Sequence, residues 1–432
     1  MLAVLRHRNL ALLVAAQTIS FTGSFVLFVG LPFYVYELTG SGLATGALFM
    51  AQTIPQLALG SVAGVFVDRW DRRHIRMTAD VVRVVVLLPL LAVPSTDWVW
   101  IVYAVALTEA AIGQFSNPAT LAIIPRLVAP QHLVQANSLN STTSHVALLV
   151  GSALGGTLLA IGGLSLVVFV DAATFLASAL LVLLIPAALG KLEPTTDAAA
   201  TAARRSVFSE LTEGLALVRA DRLLVAIFAA STLVGIADGI ILAGIVIFVR
   251  DVLDAGSVGF GWLLTARGLG GVLGGLIVAQ FGVRISERRL MPAAIFAMAL
   301  IFAGLANIHI LPVAMLMLLL TGPPAMAFMV SVQTLLQRTV ADAFRGRVFG
   351  VYATVVSIAS LTGMGLSATT LDSIGPVAIF NVAAACNLLA TAALLLAFRR
   401  APAPDPAPED RHPAATNAPA LHTSEVLSDL DR

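Results

Sequence analysis

The chain has 432 residues, of which 58% are hydrophobic and 11% are charged, and its formal net charge is +1. Soluble globular domains carry about 25% charged residues, so this composition excludes an ordinary soluble fold. The single cysteine, Cys386, excludes an intramolecular disulfide and a metal site built from several cysteines.

Apolar runs fill most of the chain, and each approaches the roughly 20 residues that a helix needs to cross a bilayer. The runs are continuous and do not alternate, which predicts helices and excludes the strands of a membrane barrel. The first run is too long for the apolar region of a signal peptide, so we interpret it as a retained span. The twelve predicted spans are 10–36, 43–67, 77–94, 98–115, 141–161, 164–186, 223–249, 257–281, 290–307, 311–335, 347–371 and 375–397.

A long polar connection, residues 187–222, separates the sixth span from the seventh. Its later part has apolar residues at helical spacing, which predicts an amphipathic helix on the membrane surface over 206–224. Residues 399–432 are rich in proline and alanine without periodicity, and we predict a disordered tail.

The basic residues fall almost entirely in alternate connections. With twelve spans, one set of connections holds every basic residue except Arg83, Arg250 and Arg267. Connections rich in arginine stay on the cytoplasmic side. Both termini and the central connection are therefore predicted to be cytoplasmic, in a protein that crosses the bacterial inner membrane many times.

The two halves of the chain resemble each other. A shift of 215 positions pairs Gly46 with Gly261, and a shift of 212 pairs Gly151 with Gly363. Such repeats predict two pseudo-symmetric six-helix bundles with a substrate site at their interface near mid-membrane. We expect an N-terminal bundle at 1–186, a cytoplasmic linker at 187–222, a C-terminal bundle at 223–398 and a tail at 399–432.

The connection between the second and third spans contains Gly-Val-Phe-Val-Asp-Arg-Trp-Asp-Arg-Arg, residues 64–73. It resembles the signature loop G-x-x-x-D-R-x-G-R-R/K of the major facilitator superfamily, except that Asp71 replaces the second glycine. The resemblance implies that superfamily's all-α fold and a gating loop that latches the two halves in the outward-facing state. The alternative is a loop that only sets topology. The matching residues are Gly64, Asp68, Arg69, Arg72 and Arg73.

Finer similarity connects the chain to a bacterial subgroup with siderophore exporters, macrolide efflux pumps and lysophospholipid transporters. It rests partly on the segments 117–119 and 136–138, both predicted to follow the fourth span. In the fifth span, Gly151, Gly155 and Gly156 resemble the exporter motif G-P-x-x-G-G, with Ser152 in place of proline. The match favours export, although small residues at this spacing equally suit helix packing.

Three charged residues lie in spans that this fold places at or beside the central cavity. A charge at mid-helix costs about 2.5–3.5 kcal/mol on insertion scales, so each one needs a reason. We expect Asp238 or Glu109 to take up and release a proton. Arg267 is expected to tune the pKa of that carboxylate or to contact the substrate. The alternative is a buried Asp238–Arg267 pair that only holds two helices together.

Other polar residues in the spans are predicted to have structural or cavity-lining roles. Asp80 and Arg83, three positions apart on one helix, are predicted to pair with each other. Asp171 is predicted to serve as a structural hydrogen-bonding group. A polar cavity wall could be formed by Gln17, Ser24, Gln52 and Gln56, although such residues also join helices.

These features predict a secondary active transporter, specifically a proton-coupled exporter of small amphiphilic compounds such as drugs, siderophores or lipids. The alternatives are an importer or facilitator of a small nutrient, and a transport-inactive sensor or scaffold. The sequence shows no nucleotide loop, metal cluster or catalytic triad, so we expect no enzyme activity, cofactor or bound metal. The expected partners are a small-molecule substrate, protons and the lipid bilayer, without nucleic acid, and the protein is expected to be a monomer.

Overall fold

The computed structural model describes residues 7–67, 70–187, 207–281 and 285–400, and within these ranges every regular element is helical. Eight helical stretches of this described part are long and apolar enough to cross a membrane. Two long helical stretches, Leu133–Leu183 and Asp342–Arg400, are each interrupted at a glycine with positive φ, Gly163 at 61° and Gly375 at 80°. Each of these stretches therefore consists of two helices.

Each of the twelve predicted spans coincides, fully or in part, with a helix, and we number these helices α1 to α12. α2 and α3 are not among the eight strongly apolar stretches, so twelve full crossings stay a prediction. The helices are α1 Arg8–Thr39, α2 Gly42–Val67, α3 Arg72–Leu87, α4 Val99–Leu127, α5 133–162, α6 164–183, α7 Arg222–Ile247, α8 Ser257–Phe281, α9 Glu287–Ala306, α10 Leu311–Thr339, α11 342–374 and α12 376–400.

Several helices, α3, α4 and α5 among them, extend beyond the apolar runs that predicted them. α3 begins at Arg72, five positions before the predicted span, and ends in a 3-10 turn that contains Pro89. α4 continues to Leu127 and α5 begins at Leu133, so 117–119 and 136–138 lie inside helices and not in a connection. Hydropathy predicts only the part of a helix that is surrounded by lipid. A helix with a polar surface can continue from there into water, so its ends lie beyond the apolar run.

The central connection contains a helix at Val207–Ala220, which we call the linker helix. It packs against the start of α11, where Glu213 forms an ion pair with Arg347 at 2.9 Å and Val218 is buried. The rest of the predicted low-complexity connection and the tail beyond residue 400 lie outside the described residues. A position on the membrane surface stays a prediction for the linker helix.

The two groups of helices have matching internal packing. Gly151 of α5 lies against α1, and its repeat partner Gly363 of α11 lies against α7. Gly46 of α2 faces Ala368 of α11, and its repeat partner Gly261 of α8 faces Ser152 of α5, so both glycines lie where one group meets the other. The breaks at Gly163 and Gly375 are also 212 positions apart. The weak sequence repeat is therefore a repeat of structure.

Candidate functional site

Contacts between the two groups of helices close one end of the bundle, the end with the turns at Gly40, Gly163 and Gly375. We call this the arginine-poor end. There the hydroxyl of Tyr36 donates to Asp251 Oδ2 at 2.5 Å, and the amide of Gly42 donates to Asp372 Oδ1 at 3.0 Å. The Phe33 and Phe260 rings stack with centroids 6.1 Å apart. These contacts form a gate across the bundle.

The burial of α1 and α7 shows where the bundle opens. Between residues 26 and 35 of α1, every residue except Phe28 and Tyr34 is buried, whereas about a third are buried between 8 and 25. From residue 239 of α7 to residue 249, just beyond its end, every residue except Leu242 is buried, and many before 239 are not. Both helices begin at the arginine-rich end, so their accessible surface lies toward that end. The bundle is closed at the arginine-poor end and open at the other.

Asp238 and Arg267 meet at the boundary between these two regions. Asp238 precedes the buried part of α7, and Arg267 Nη2 of α8 donates to Asp238 Oδ1. The two side chains retain 40% and 32% of their surface accessible. The pair that the sequence suggested therefore exists, but it is not the fully buried pair of the structural alternative. The accessible surface of both side chains allows a solute to contact the pair directly.

Glu109 forms a separate ion pair inside the N-terminal group. Its Oε1 lies 3.5 Å from Arg83 Nε of α3, and 18% of the Glu109 side chain is accessible. The Arg83 guanidinium lies over the Phe175 ring of α6, 5.0 Å from its centroid. Glu109 is thus held by its own group of helices and does not contact Asp238 or Arg267 in the described contacts.

The predicted pairing of Asp80 with Arg83 is wrong. Asp80 Oδ2 lies 3.4 Å from Arg76 Nη2, one helical turn earlier, and accepts from Ser178 Oγ at 2.6 Å. Arg83 faces Glu109 instead. Positions three and four apart both lie on one helical face, and contacts with Ser178 of α6 and Glu109 of α4 accompany the observed pairing.

Arg76 is fully buried, although its position near the start of a span suggested a topogenic charge. Its guanidinium donates to Ser116 of α4, to Ser20 of α1 at 2.6 Å and to Ser178 of α6 at 3.1 Å. Four helices therefore converge on one guanidinium. The signal that could have found this cluster is the spacing of Arg76, Asp80 and Arg83 at i, i+4 and i+7, which places three charges on one face.

The four predicted cavity residues differ in burial. Gln17 is buried, with its Oε1 lacking a hydrogen-bond partner among the described residues. Ser24 and Gln52 are half-buried, and Gln56 is exposed. The polar cavity wall formed by these four residues stays a prediction.

The exporter-like glycines lie at helix contacts. A Cβ at Gly155 would approach the Val26 carbonyl of α1 to 2.7 Å, and Gly151 likewise faces α1. Gly156 faces the opposite group, where Ser257 Oγ of α8 donates to its carbonyl at 2.9 Å. The motif therefore joins α5 to α1 on one side and to α8 on the other.

The gating loop is described in part. Asp68 and Arg69 lie outside the described residues, and Gly64 is in the last turns of α2. Asp71 caps α3 by accepting from the amides of Arg73 and His74, which gives a physical reason for an acid where the family has glycine. The side chain of Arg73 donates to the Val182 and Leu183 carbonyls, and Arg72 donates to the Ala122 carbonyl at 3.2 Å. These arginines neutralise the carbonyl-rich ends of α6 and α4.

Two pseudo-symmetric groups of helices with a gate closed at one end define an alternating-access membrane transporter. The family model described as "Transmembrane secretion effector", a branch of the major facilitator superfamily, matches residues 1–426, and the chain belongs to this family. Among the described residues, no group of three or more His, Cys, Asp or Glu side chains could hold a metal ion.

Known proteins resemble the chain over most of its length. Macrolide efflux protein A of Streptococcus pyogenes is 26% identical over 370 residues, which cover 84% of this chain and 89% of that protein. The multidrug efflux pump Tap of Mycobacterium tuberculosis is 27% identical over 386 residues, covering 85% and 88%. The crystal structure of the nucleoside transporter NupG aligns with a TM-score of 0.73 at 15% identity, covering 90% of this chain and 99% of that one. The last likeness concerns the fold alone.

Proposed function

We propose that the protein is a secondary active exporter of small amphiphilic compounds, driven by protons and working by alternating access. Two relatives with efflux names support the direction of transport. The observation that carries the coupling proposal is the accessible Asp238–Arg267 pair, placed where the open part of α7 gives way to the closed gate.

The pair suggests a simple coupling cycle. A proton that binds Asp238 removes its negative charge and frees Arg267, which can then bind water or the substrate. Loss of the proton restores the ion pair. Each proton that moves down about 100 mV supplies roughly 2.3 kcal/mol, enough for about a fifty-fold solute gradient. Glu109, with Arg83 as its partner, is the second coupling candidate.

The accessible surfaces of α1 and α2 favour an amphiphilic substrate. Ser24 and Gln52 are half-buried there beside the half-buried Phe25 and Met50. A few polar groups among apolar and aromatic side chains are typical of sites for drug-like molecules. A polar nutrient would need more hydrogen-bonding partners than these helices offer.

We further propose that the arginine-rich end faces the cytoplasm, so that both termini and the linker lie on that side. The N-terminal bundle would comprise 1–186, the linker 187–222, the C-terminal bundle 223–398 and the tail 399–432. Labelling of single introduced cysteines in a Cys386→Ser background tests the orientation. A residue at 131 should react only from the cytoplasmic side and one at 254 only from the opposite side.

Transport into inverted membrane vesicles with an imposed pH gradient tests the function. A panel of dyes, macrolides and siderophores should include compounds that accumulate only with the gradient. Asp238→Asn should abolish this accumulation, and Glu109→Gln should abolish or weaken it. The matched control is Asp254→Asn, because the Asp254 side chain is 98% exposed in a loop. If Asp238→Asn and Glu109→Gln both accumulate substrate at the wild-type level, the coupling proposal fails.

A further inference from the structure

Five ionisable side chains meet inside the N-terminal group, away from the Asp238–Arg267 pair. Arg76, Asp80 and Arg83 lie on α3, Glu109 on α4 and Asp171 on α6. Arg76, Asp80 and Asp171 are 0% exposed and Arg83 is 4% exposed. Two guanidinium groups face three carboxyl groups, so the cluster is neutral only if one carboxyl group carries a proton. An unbalanced charge in such a dry place is costly, which favours the neutral form.

The contacts indicate which carboxyl group carries the proton. Asp80 is paired with Arg76 and accepts from Ser178, while Glu109 is paired with Arg83. Asp171 is the one carboxyl group of this cluster without an ion-pair partner among the described contacts. Its Oδ1 has a 3.4 Å contact from Thr174 Oγ1, and its Oδ2 has no hydrogen-bond partner among the described residues.

Asp171 is enclosed by charged groups on one side and by α1 on the other. A Cβ at Gly23 of α1 would collide with its carboxylate. The charged groups that face Asp171 are Glu109 of α4 and Arg83 and Asp80 of α3. Arg83 is therefore an electrostatic neighbour of both Glu109 and Asp171.

Arg83 has the freedom to exchange partners. Its contact with Glu109 is long, at 3.5 Å, and Gly113 provides the space beside it, because a Cβ there would lie 2.9 Å from Arg83 Nη2. The ring of Phe175, one turn after Asp171 on α6, lies against one face of the guanidinium, with its centroid 5.0 Å from Arg83 Cζ. A planar guanidinium on an aromatic face can slide without losing that contact.

We propose that Asp171 is a buried proton store, and that Arg83 moves between Glu109 and Asp171 as the proton moves the other way. In the present state Arg83 pairs with Glu109 and the proton stays on Asp171. When Arg83 turns to Asp171, the Asp171 O–H bond breaks, and Glu109 takes the proton. Glu109, the more accessible acid, then releases the proton to water or takes one up from it. The charge of the cluster changes only in that last step. This assignment rests on the proton coupling proposed above.

Infrared spectroscopy of the protein in lipid at neutral pH tests the store directly. The carboxylic-acid C=O band, which shifts in heavy water, should be present in the wild type and reduced in Asp171→Asn. It should persist in the control Asp254→Asn, because the Asp254 side chain is 98% exposed and lies outside the cluster. An unchanged band in Asp171→Asn overturns the proposal. A wild type without any such band overturns it equally, even if the variant does not fold.

A transport measurement distinguishes a store from a structural acid. Asp171→Asn should retain substrate counterflow, which needs no proton gradient. Its accumulation of substrate driven by a pH gradient should be at least tenfold lower than that of the wild type. Full pH-driven accumulation in Asp171→Asn contradicts a role in coupling. If the panel contains no exported compound but the Asp171 band is present, the proposed function fails while the assignment of the proton stands.

Discussion

The contact between Gly261 of α8 and α5 provides a quantitative test of the gate. A Cβ at Gly261 would lie 2.5 Å from the Ser152 carbonyl oxygen and 3.3 Å from the Gly156 Cα, where ordinary contact begins at 3.4 Å. Gly261→Ala must therefore push α5 and α8 apart by about 0.9 Å at the carbonyl, from 2.5 to 3.4 Å. Both neighbours are backbone atoms, so a side-chain rotation cannot relieve the contact.

The strain of Gly261→Ala should favour the outward-open state. Overpacking of this kind costs about 1–3 kcal/mol. If the strain is relieved when the gate opens, the ratio of outward-open to inward-open molecules rises by roughly 5- to 150-fold. Spin labels at positions 37 and 373 should report a longer distance across the arginine-poor end, and labels at 131 and 341 a shorter one at the other end.

Two glycine variants serve as controls. Gly271→Ala, on the same helix, has nothing within 4 Å of its Cβ and should leave both distances unchanged. Gly155→Ala meets the Val26 carbonyl of α1 within one group, so it should lower thermal stability without a shift between states. Unchanged distances in Gly261→Ala, with a folded protein, would refute the gate at this contact.

Three further variants test separate parts of the structure. Tyr36→Phe removes the hydrogen bond to Asp251, and the loss of about 1 kcal/mol should raise the labelling rate of a cysteine at the buried Ser367 roughly fivefold; an unchanged rate would show that this bond does not hold the gate. Arg76→Met leaves its partner carboxylate buried without a cation, which should cost about 3–5 kcal/mol in thermal denaturation; a melting temperature within error of wild type would contradict the cluster. Asp71→Ala should cost about 1 kcal/mol through the lost cap of α3, and replacement by Asn should restore most of it; equal losses in the two variants would rule out capping as the cause.

The fold was predictable because its signals are local or periodic. Apolar runs marked a helix at each span, and the repeat that pairs Gly46 with Gly261 corresponds to matching contacts between the two groups. Helix ends were harder to predict, since α4 passes Pro118 and Pro125 and continues to Leu127 outside the apolar run. Such extensions depend on contacts with neighbouring helices, and local sequence does not reveal them.

The charged sites were predictable only where one pairing was possible. Asp238 and Arg267 are isolated charges on adjacent helices, so their pairing followed from the sequence. Arg76 had several alternatives, and its actual acceptors, Ser20, Ser116 and Ser178, come from three other helices. Their convergence is a property of packing, so the sequence pointed to a surface arginine.

A reversible cross-link at the gate tests alternating access most directly. A Cβ at Gly46 of α2 would lie 2.5 Å from the Cβ of Ala368 of α11, close enough for cysteines at both positions to bond after a small shift, since a disulfide holds Cβ atoms about 3.8 Å apart. In a Cys386→Ser background, oxidation of the Gly46→Cys, Ala368→Cys protein should stop substrate accumulation, and reduction should restore it. The single Gly46→Cys variant controls for crowding. Undiminished transport with the cross-link intact would contradict the claim that the two groups of helices must separate at this end.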